Sequence, residues 1–396
     1  MATLQPINLP ADKNQQIWLT VKVPENAVAG LYTGKLNLEK DGNVIASIPI
    51  RLRVLPFKLA KSRLSYGLYY IAQLTDNDTA LSCYRSSLKL MRSHWNNMLE
   101  HGINNWIVYQ PWGKDLSLKG LEKVLKLRQE LGINDRPLYY CGMTTANTLR
   151  PNSSTPASKP ETIAKMKILL TKIKKLCDKY KVPEFYIYAC DENHKTRAQD
   201  RIKLWKIVHN AGGKVMTTQY HPQKSLAYKK DLDLLIFGSG FSPKIAEEFH
   251  KYGKKIVSYC SPQVGVENPW LYRMQYGQKL WGSGFDGMMT YAYMREMGNP
   301  WNDFDHLSYR DHFFVYPTIN GFVETIAWEG MREAVDDTRY ITTLEKCIAT
   351  AKGQKKMIKQ AKNYLSALKK NASLRNPATV RLEVINWILK LKGAQI

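Results

Sequence analysis

The chain has 396 residues, 44% hydrophobic and 23% charged, a composition that suits a globular protein with a sizeable core and excludes a disordered or collagen-like chain. Its 58 Lys and Arg against 34 Asp and Glu give a formal charge of +24. That surplus fits a polyanionic partner, and equally fits solvated cationic helix faces such as KILLTKIKKLCDKYK and KGQKKMIKQAKNYLSALKK.

No apolar run approaches the ~18 residues of a membrane helix. The opening MATLQPINLPADKNQQ has no basic segment followed by an apolar one, so no secretion signal is read, and cytoplasmic and secreted destinations both stay open. Cys83, Cys141, Cys177, Cys190, Cys260 and Cys347 are scattered and form no CxxC, which argues against a disulfide framework or a zinc knuckle.

Residues 1–58 alternate apolar and polar in IWLTVKVP, GLYTGKLNLE and NVIASIPIRLRVLP, with Asp41-Gly42 as a hairpin signal; this predicts a β-sandwich domain, partial at three strands. From residue 59 to 340 short β-rich runs alternate with helical patterns. The runs are LSYGLYYI, NNWIVYQP, RPLYYCGM, EFYIYACDE, KVMTTQY, LDLLIFGS, KKIVSYCS and FDGMMTYAY. Eight such units predict an α/β fold, a (β/α)8 barrel of the TIM type. An open doubly wound sheet is the alternative, but the Gly-rich phosphate turn it would carry is missing. Residues 341–396 read as a basic helical tail.

In a barrel of this kind the functional site lies at the C-terminal ends of the strands. Those ends are rich in aromatic side chains: Tyr69 and Tyr70, Tyr109, Tyr188, Tyr220 beside His221, Tyr259, Tyr291 and Tyr293. Flat rings with a polar handle suit a sugar. The fourth run ends in Asp191-Glu192. Helix capping, or ion pairs with Arg197 or Arg201, would be a structural reason for the pair. As catalytic groups, adjacent carboxylates do not straddle a sugar ring like an ordinary glycosidase pair. They fit the substrate-assisted exception, in which the substrate's own 2-acetamido oxygen is the nucleophile.

Three segments carry a resemblance. WLTVKVPENAVAGLYTGKLNL, FYIYACDEN and FVYPTINGFVETIAWEGMREAVDDTRY, in that order, resemble glycoside hydrolase family 123, the β-N-acetylgalactosaminidases. The resemblance implies an exo-acting, retaining β-N-acetylhexosaminidase preferring the galacto epimer. It implies Asp191 as the carboxylate that orients the acetamido group and Glu192 as general acid/base, with a raised pKa from burial beside a second carboxylate. Tyr259 and Tyr293 are the first choices to bond the acetamido oxygen, and Trp270, Trp281 or Trp301 to floor the sugar. Thr325-Ile326-Ala327 stands where the family has Ser-x-Arg, Arg332-Glu333-Ala334 where it has Arg-Glu-Gly, and Asn193 where it has Pro. These departures bear on specificity.

The expected partner is a glycan with a terminal β-linked 2-acetamido sugar, and an anionic glycan would complement the basic surface. No cofactor or metal is expected. Cys141, Cys190, Cys260 and His221 fall near strand ends but show no ligand spacing. A carbohydrate-binding relative without turnover is the competing class. A nucleic-acid or polyanion binder lacks a recognition motif.

Overall fold

The fold is that of a computed structural model, which describes residues 7–76, 81–142, 160–191, 198–265 and 267–394. It divides into two compact units, residues 1–59 and 60–396.

In the first unit, β1 (Gly30–Lys40) and β2 (Asn43–Val54) form an antiparallel hairpin. Asp41 and Gly42 turn the chain with φ of 50° and 79°, the left-handed geometry that makes Asp-Gly a hairpin signal. Residues 17–24, expected as a strand, join no ladder among the described residues. Alternation alone does not make a strand; backbone groups need a neighbour to bond. The expected sandwich is thus represented here by one hairpin.

In the second unit the eight strands are β3 (Ser65–Tyr70), β4 (Asn105–Val108), β5 (Leu138–Tyr140), β6 (Phe185–Cys190), β7 (Lys214–Gln219), β8 (Leu234–Phe237), β9 (Lys255–Ser258) and β10 (Gly287–Thr290). All pair in parallel with their chain neighbours, and β10 pairs back to β3, closing the barrel. Helices α1 (Leu88–Glu100), α2 (Lys119–Glu130), α3 (Pro160–Lys179), α4 (Ala198–Asn210), α5 (Pro222–Leu226), α6 (Pro243–His250), α7 (Pro269–Met274) and α8 (Ile326–Thr350) connect or follow them. The second unit is a (β/α)8 barrel.

Alternation divides each strand between two cores. On β3, Tyr66 points outward and donates its hydroxyl to the Tyr276 carbonyl at 2.8 Å, and Tyr70 points outward to His94 Nδ1 at 3.0 Å. Gly67 and Tyr69 point inward. A Cβ at Gly67 would come within 2.5 Å of the Met289 side chain, so glycine there makes room in the barrel interior.

The N-terminal rim of the barrel is stitched by a recurring device: a polar residue one place before a strand accepts a hydrogen bond from an amide of the neighbouring strand. Asn104 takes Tyr66 N at 3.0 Å, Asp233 takes Val215 N at 2.8 Å and Asp286 takes Ile256 N at 2.8 Å. Asp233 also binds His209 Nε2 and Lys254 Nζ, each at 2.8 Å. Burial works to raise its carboxyl, but these hydrogen bonds outweigh it and hold the pKa down from 3.8 to about 2. A depressed carboxyl contributes stability above its unfolded pKa and loses it as pH falls through the folded one. The expected result is that Asp233→Asn costs about 2 kcal/mol at pH 6. In urea titrations the gap from the parent should narrow as pH falls from 4 towards 2; a constant gap would mean that the charge of Asp233 contributes nothing.

Helix α8 runs without a break through residue 340, so the boundary expected there is not one. The helices beyond it, α9 (Lys355–Lys370) and α10 (Pro377–Lys392), belong to the same compact unit as the barrel. Arg381 of α10 grips Asp337 of α8, at 2.6 Å, and its Glu333, at 2.9 Å.

Candidate active site

The barrel mouth is built by inward side chains from opposite strands. Tyr69 (β3) and Tyr188 (β6) are 2% and 3% exposed, and their hydroxyls meet 3.2 Å apart. Thr218 Oγ1 (β7) lies 2.7 Å from the first and 2.6 Å from the second. Tyr188 donates onward to Asp191 Oδ1 at 2.7 Å. Three hydroxyls thus converge beneath one exposed carboxylate and polarise one another. Burial, with the negative charge of Asp191 adding to it, pushes the phenols of Tyr69, Tyr188 and Tyr109 well above their ordinary range, so all three stay neutral donors.

A bulge aims Asp191. The β6–β7 register runs Tyr188 to Met216 and then Cys190 to Thr217, so β6 carries an extra residue there. Strict alternation from an inward Tyr188 would send Asp191 outward. The extra residue reverses the phase, and Asp191 reaches the Tyr188 hydroxyl.

Aromatic rings wall the space around this network. Tyr69 packs on Tyr291 at 5.2 Å, Tyr259 at 5.6 Å, Tyr188 at 5.9 Å and Tyr109 at 6.4 Å. Tyr220 stands edge-on to Tyr259 at 5.8 Å. Arg295 donates to the Tyr291 hydroxyl at 2.6 Å and to Tyr84 at 3.0 Å, placing a positive charge beside the wall. His312 lies across Tyr291 at 5.7 Å. A Cβ at Gly238 would fall 2.2–2.8 Å from the Tyr220 ring, so only glycine lets that ring lie where it does. Gly238→Ala is therefore expected to displace Tyr220 and raise KM several-fold with a smaller change in kcat; unchanged KM would remove Tyr220 from the binding surface.

The structure thus gathers Asp191, Tyr69, Tyr109, Tyr188, Tyr220 and Tyr259, and His221 is exposed beside Tyr220. Glu192, Asn193, His194 and Arg197 lie outside the described residues, as does the side chain of Arg201. Two expected residues are elsewhere. Tyr293 is buried on the outer face, where its hydroxyl donates to Asn97 Oδ1 at 2.9 Å and its ring meets Tyr70, His94 and Trp328. Trp281 is buried in the helical layer and donates to Glu345 at 3.0 Å; Glu345 pairs with Arg63, just ahead of β3, which is the opposite end of the barrel. Trp270 is exposed at the start of α7.

Trp301 is 54% exposed, and one face stacks on Tyr316 at 5.6 Å. Tyr316 packs on Phe313, the neighbour of His312, so Trp301 belongs to the loop that returns to the mouth rather than to its floor. The sequence reading does not name Thr218 and Arg295, and it places Tyr291 only among the aromatic strand ends. Parity with Tyr220 on the same run would have found Thr218. A cleft of about 440 Å³ lined by Trp112, Leu116, Lys165 and Leu169 contains none of the mouth residues named above.

At the end of the last barrel segment, Thr325 caps α8 by accepting from Trp328 N at 3.2 Å. A hydroxyl is what a helix N-cap requires, so Thr325 serves there as serine would.

The family model "Glycoside hydrolase 123, catalytic domain" matches residues 139–344, just over half of the chain, and "Glycoside hydrolase 123 N-terminal domain" matches residues 2–40. The chain is a glycoside hydrolase built on a (β/α)8 barrel. It belongs to glycoside hydrolase family 123. No curated protein matches it.

Among solved structures it is similar to xylanase 10C from Cellvibrio japonicus in complex with xylopentaose (9% identity, 70% of this chain and 68% of that chain, TM-score 0.45). It is similar also to native xylanase 10B from Thermotoga maritima (10% identity, 69% and 95%, TM-score 0.43) and to a Thermobacillus composti GH10 xylanase (10% identity, 60% and 92%, TM-score 0.37). The barrel assignment rests on the closed strand order, not on these likenesses.

Proposed function

We propose that the protein is a retaining exo-β-N-acetylhexosaminidase that removes terminal β-linked N-acetylgalactosamine by substrate-assisted catalysis. The observation that carries this is Asp191, exposed at the mouth of the barrel and held from below by Tyr188. The Tyr188 hydroxyl that holds it is neutral, and so orients the carboxylate without cancelling its charge. Such a carboxylate can accept the N–H of a 2-acetamido group and turn the acetamido oxygen onto the anomeric carbon.

In this mechanism the acetamido oxygen forms a bond to the anomeric carbon as the glycosidic C–O bond breaks. Glu192 donates its proton to the leaving oxygen. Asp191 stabilises the positive charge of the resulting oxazolinium. Glu192, now a carboxylate, takes a proton from water as that water opens the ring at the anomeric carbon, and two inversions give retention. Tyr259 is the first choice to bond the acetamido oxygen, and the phenol wall packs on the sugar's C–H face. Family membership and the place of Asp191 at the end of the fourth barrel strand support the reading. Arg295 and the +24 charge favour an anionic glycan.

The test is p-nitrophenol release from aryl β-glycosides of N-acetylgalactosamine, N-acetylglucosamine, galactose and glucose. Turnover confined to the acetamido sugars, fastest for the galacto epimer, is expected. Equal turnover of galactoside and N-acetylgalactosaminide would sink substrate assistance. Sugar binding without release from any substrate would favour a binding protein, and binding that tracked salt alone a polyanion binder.

A further inference from the structure

A second polar cluster stands apart from the mouth residues. His101 follows α1, Glu324 ends the short strand Gly321–Glu324, and Glu329 lies in the first turn of α8. His101 is 5% exposed, and its ring stacks on Trp328 at 4.5 Å and 18°. Its Nδ1 sits 3.0 Å from the carbonyl oxygen of Asn97. A carbonyl can only accept, so Nδ1 carries the hydrogen, and in the neutral ring Nε2 presents a lone pair.

That buried nitrogen has no hydrogen-bond partner among the described residues. It faces Glu329 Oε1 at 3.6 Å and Glu324 Oε1 at 3.9 Å. Three acceptors therefore point at one place. The separations are too long for hydrogen bonds. They approach the ~3.4 Å between ligand atoms set tetrahedrally around an ion with bonds of ~2.0–2.1 Å. The surroundings are those of a metal site: a backbone carbonyl fixes the histidine tautomer, Arg332 holds Oε2 of Glu329, and Asn97 Nδ2 donates to Glu324.

We propose that His101, Glu324 and Glu329 bind a divalent transition-metal ion, with zinc the best match to one imidazole nitrogen and two carboxylate oxygens. The Glu324 side chain is 39% exposed, which opens a fourth position to water. The ion would tie the end of α1 to the strand before α8 and the start of α8, more than 200 residues further along the sequence. Its role is a structural clasp, independent of the proposed glycosidase chemistry.

The full chain, stripped with chelator at pH 7.5, is titrated with zinc chloride by calorimetry and followed by thermal unfolding. One equivalent bound, with a rise in Tm, is expected. Glu324→Gln, at a half-exposed position, should keep the fold and weaken binding at least tenfold; His101→Asn should abolish it. No stoichiometric binding at about 100 μM zinc, a concentration well above a useful structural Kd, would overturn the proposal and leave an imidazolium paired with the two carboxylates. Binding unaltered in both variants would overturn it too, by placing the zinc elsewhere, as on the free thiols.

Discussion

Glu192→Gln is expected to lower kcat by roughly 10²–10⁴-fold, and the loss should grow as the leaving group becomes more basic. A protonated carboxyl matters most where the departing oxygen holds its negative charge poorly, so aryl N-acetylgalactosaminides with weakly acidic phenols should suffer more than nitrophenyl ones. Asp191→Asn should also lower kcat by about 10²–10³-fold, as loss of a preorganised charge does, but evenly along the same series, because its partner is the acetamido group and not the leaving oxygen. Asparagine can still accept the Tyr188 hydrogen bond, so the scaffold beneath is kept. The measurement is kcat against leaving-group pKa for the parent and both variants. Parallel slopes for Glu192→Gln and the parent would remove Glu192 from the proton-transfer role. A steep slope for Asp191→Asn would mean that the two roles are exchanged.

The largest effect on stability is expected at Asn97. Its Oδ1 accepts from Tyr293 and from Trp328 Nε1, each at 2.9 Å, while its Nδ2 donates to Glu324. One amide thus satisfies two buried donors on the outer face of the barrel and a carboxylate at the surface. Asn97→Leu keeps the volume and removes all three partners. A buried donor left unsatisfied costs about 1–3 kcal/mol, so a total loss of about 2–4 kcal/mol is expected in urea unfolding. Asn97→Asp keeps the acceptor for Tyr293 and Trp328 but sets a second carboxylate against Glu324. It should recover part of the loss, more of it in high salt. If both variants unfold with the parent, the hub carries no net energy.

How much was legible in the sequence follows from which side of a strand a residue takes. The eight β-rich runs all became barrel strands, because buried parallel strands read as short apolar blocks with little ambiguity of type. Asp191 was legible for the same reason: it ends the fourth block. Parity was not legible at the ends. Tyr69 and Tyr70 look alike in sequence, yet one faces the barrel interior and the other His94. Tyr291 and Tyr293 share a parity, but ladder pairing ends at Thr290, and beyond it alternation no longer governs direction. Trp281 sat in a helical stretch, where an aromatic ring is as good a core residue as a sugar platform, and here it is core. The tail boundary at 340 failed because α8 carries straight on, with Asp337 and Glu333 supplying the charges that α10 needs.

The bulge in β6 has an evolutionary meaning. Deleting Ala189 would leave Tyr188 in its layer and make the ladder with β7 regular, and it would still set Asp191 on the inner face, because Cys190 already opposes Thr217 and Asp191 follows it. The packing that holds the barrel would hardly register the change. A three-nucleotide deletion at this point of the gene is thus expected to leave the carboxylate at the mouth, so the end of the fourth barrel strand can shed its bulged residue in a lineage without turning the acid away from the site.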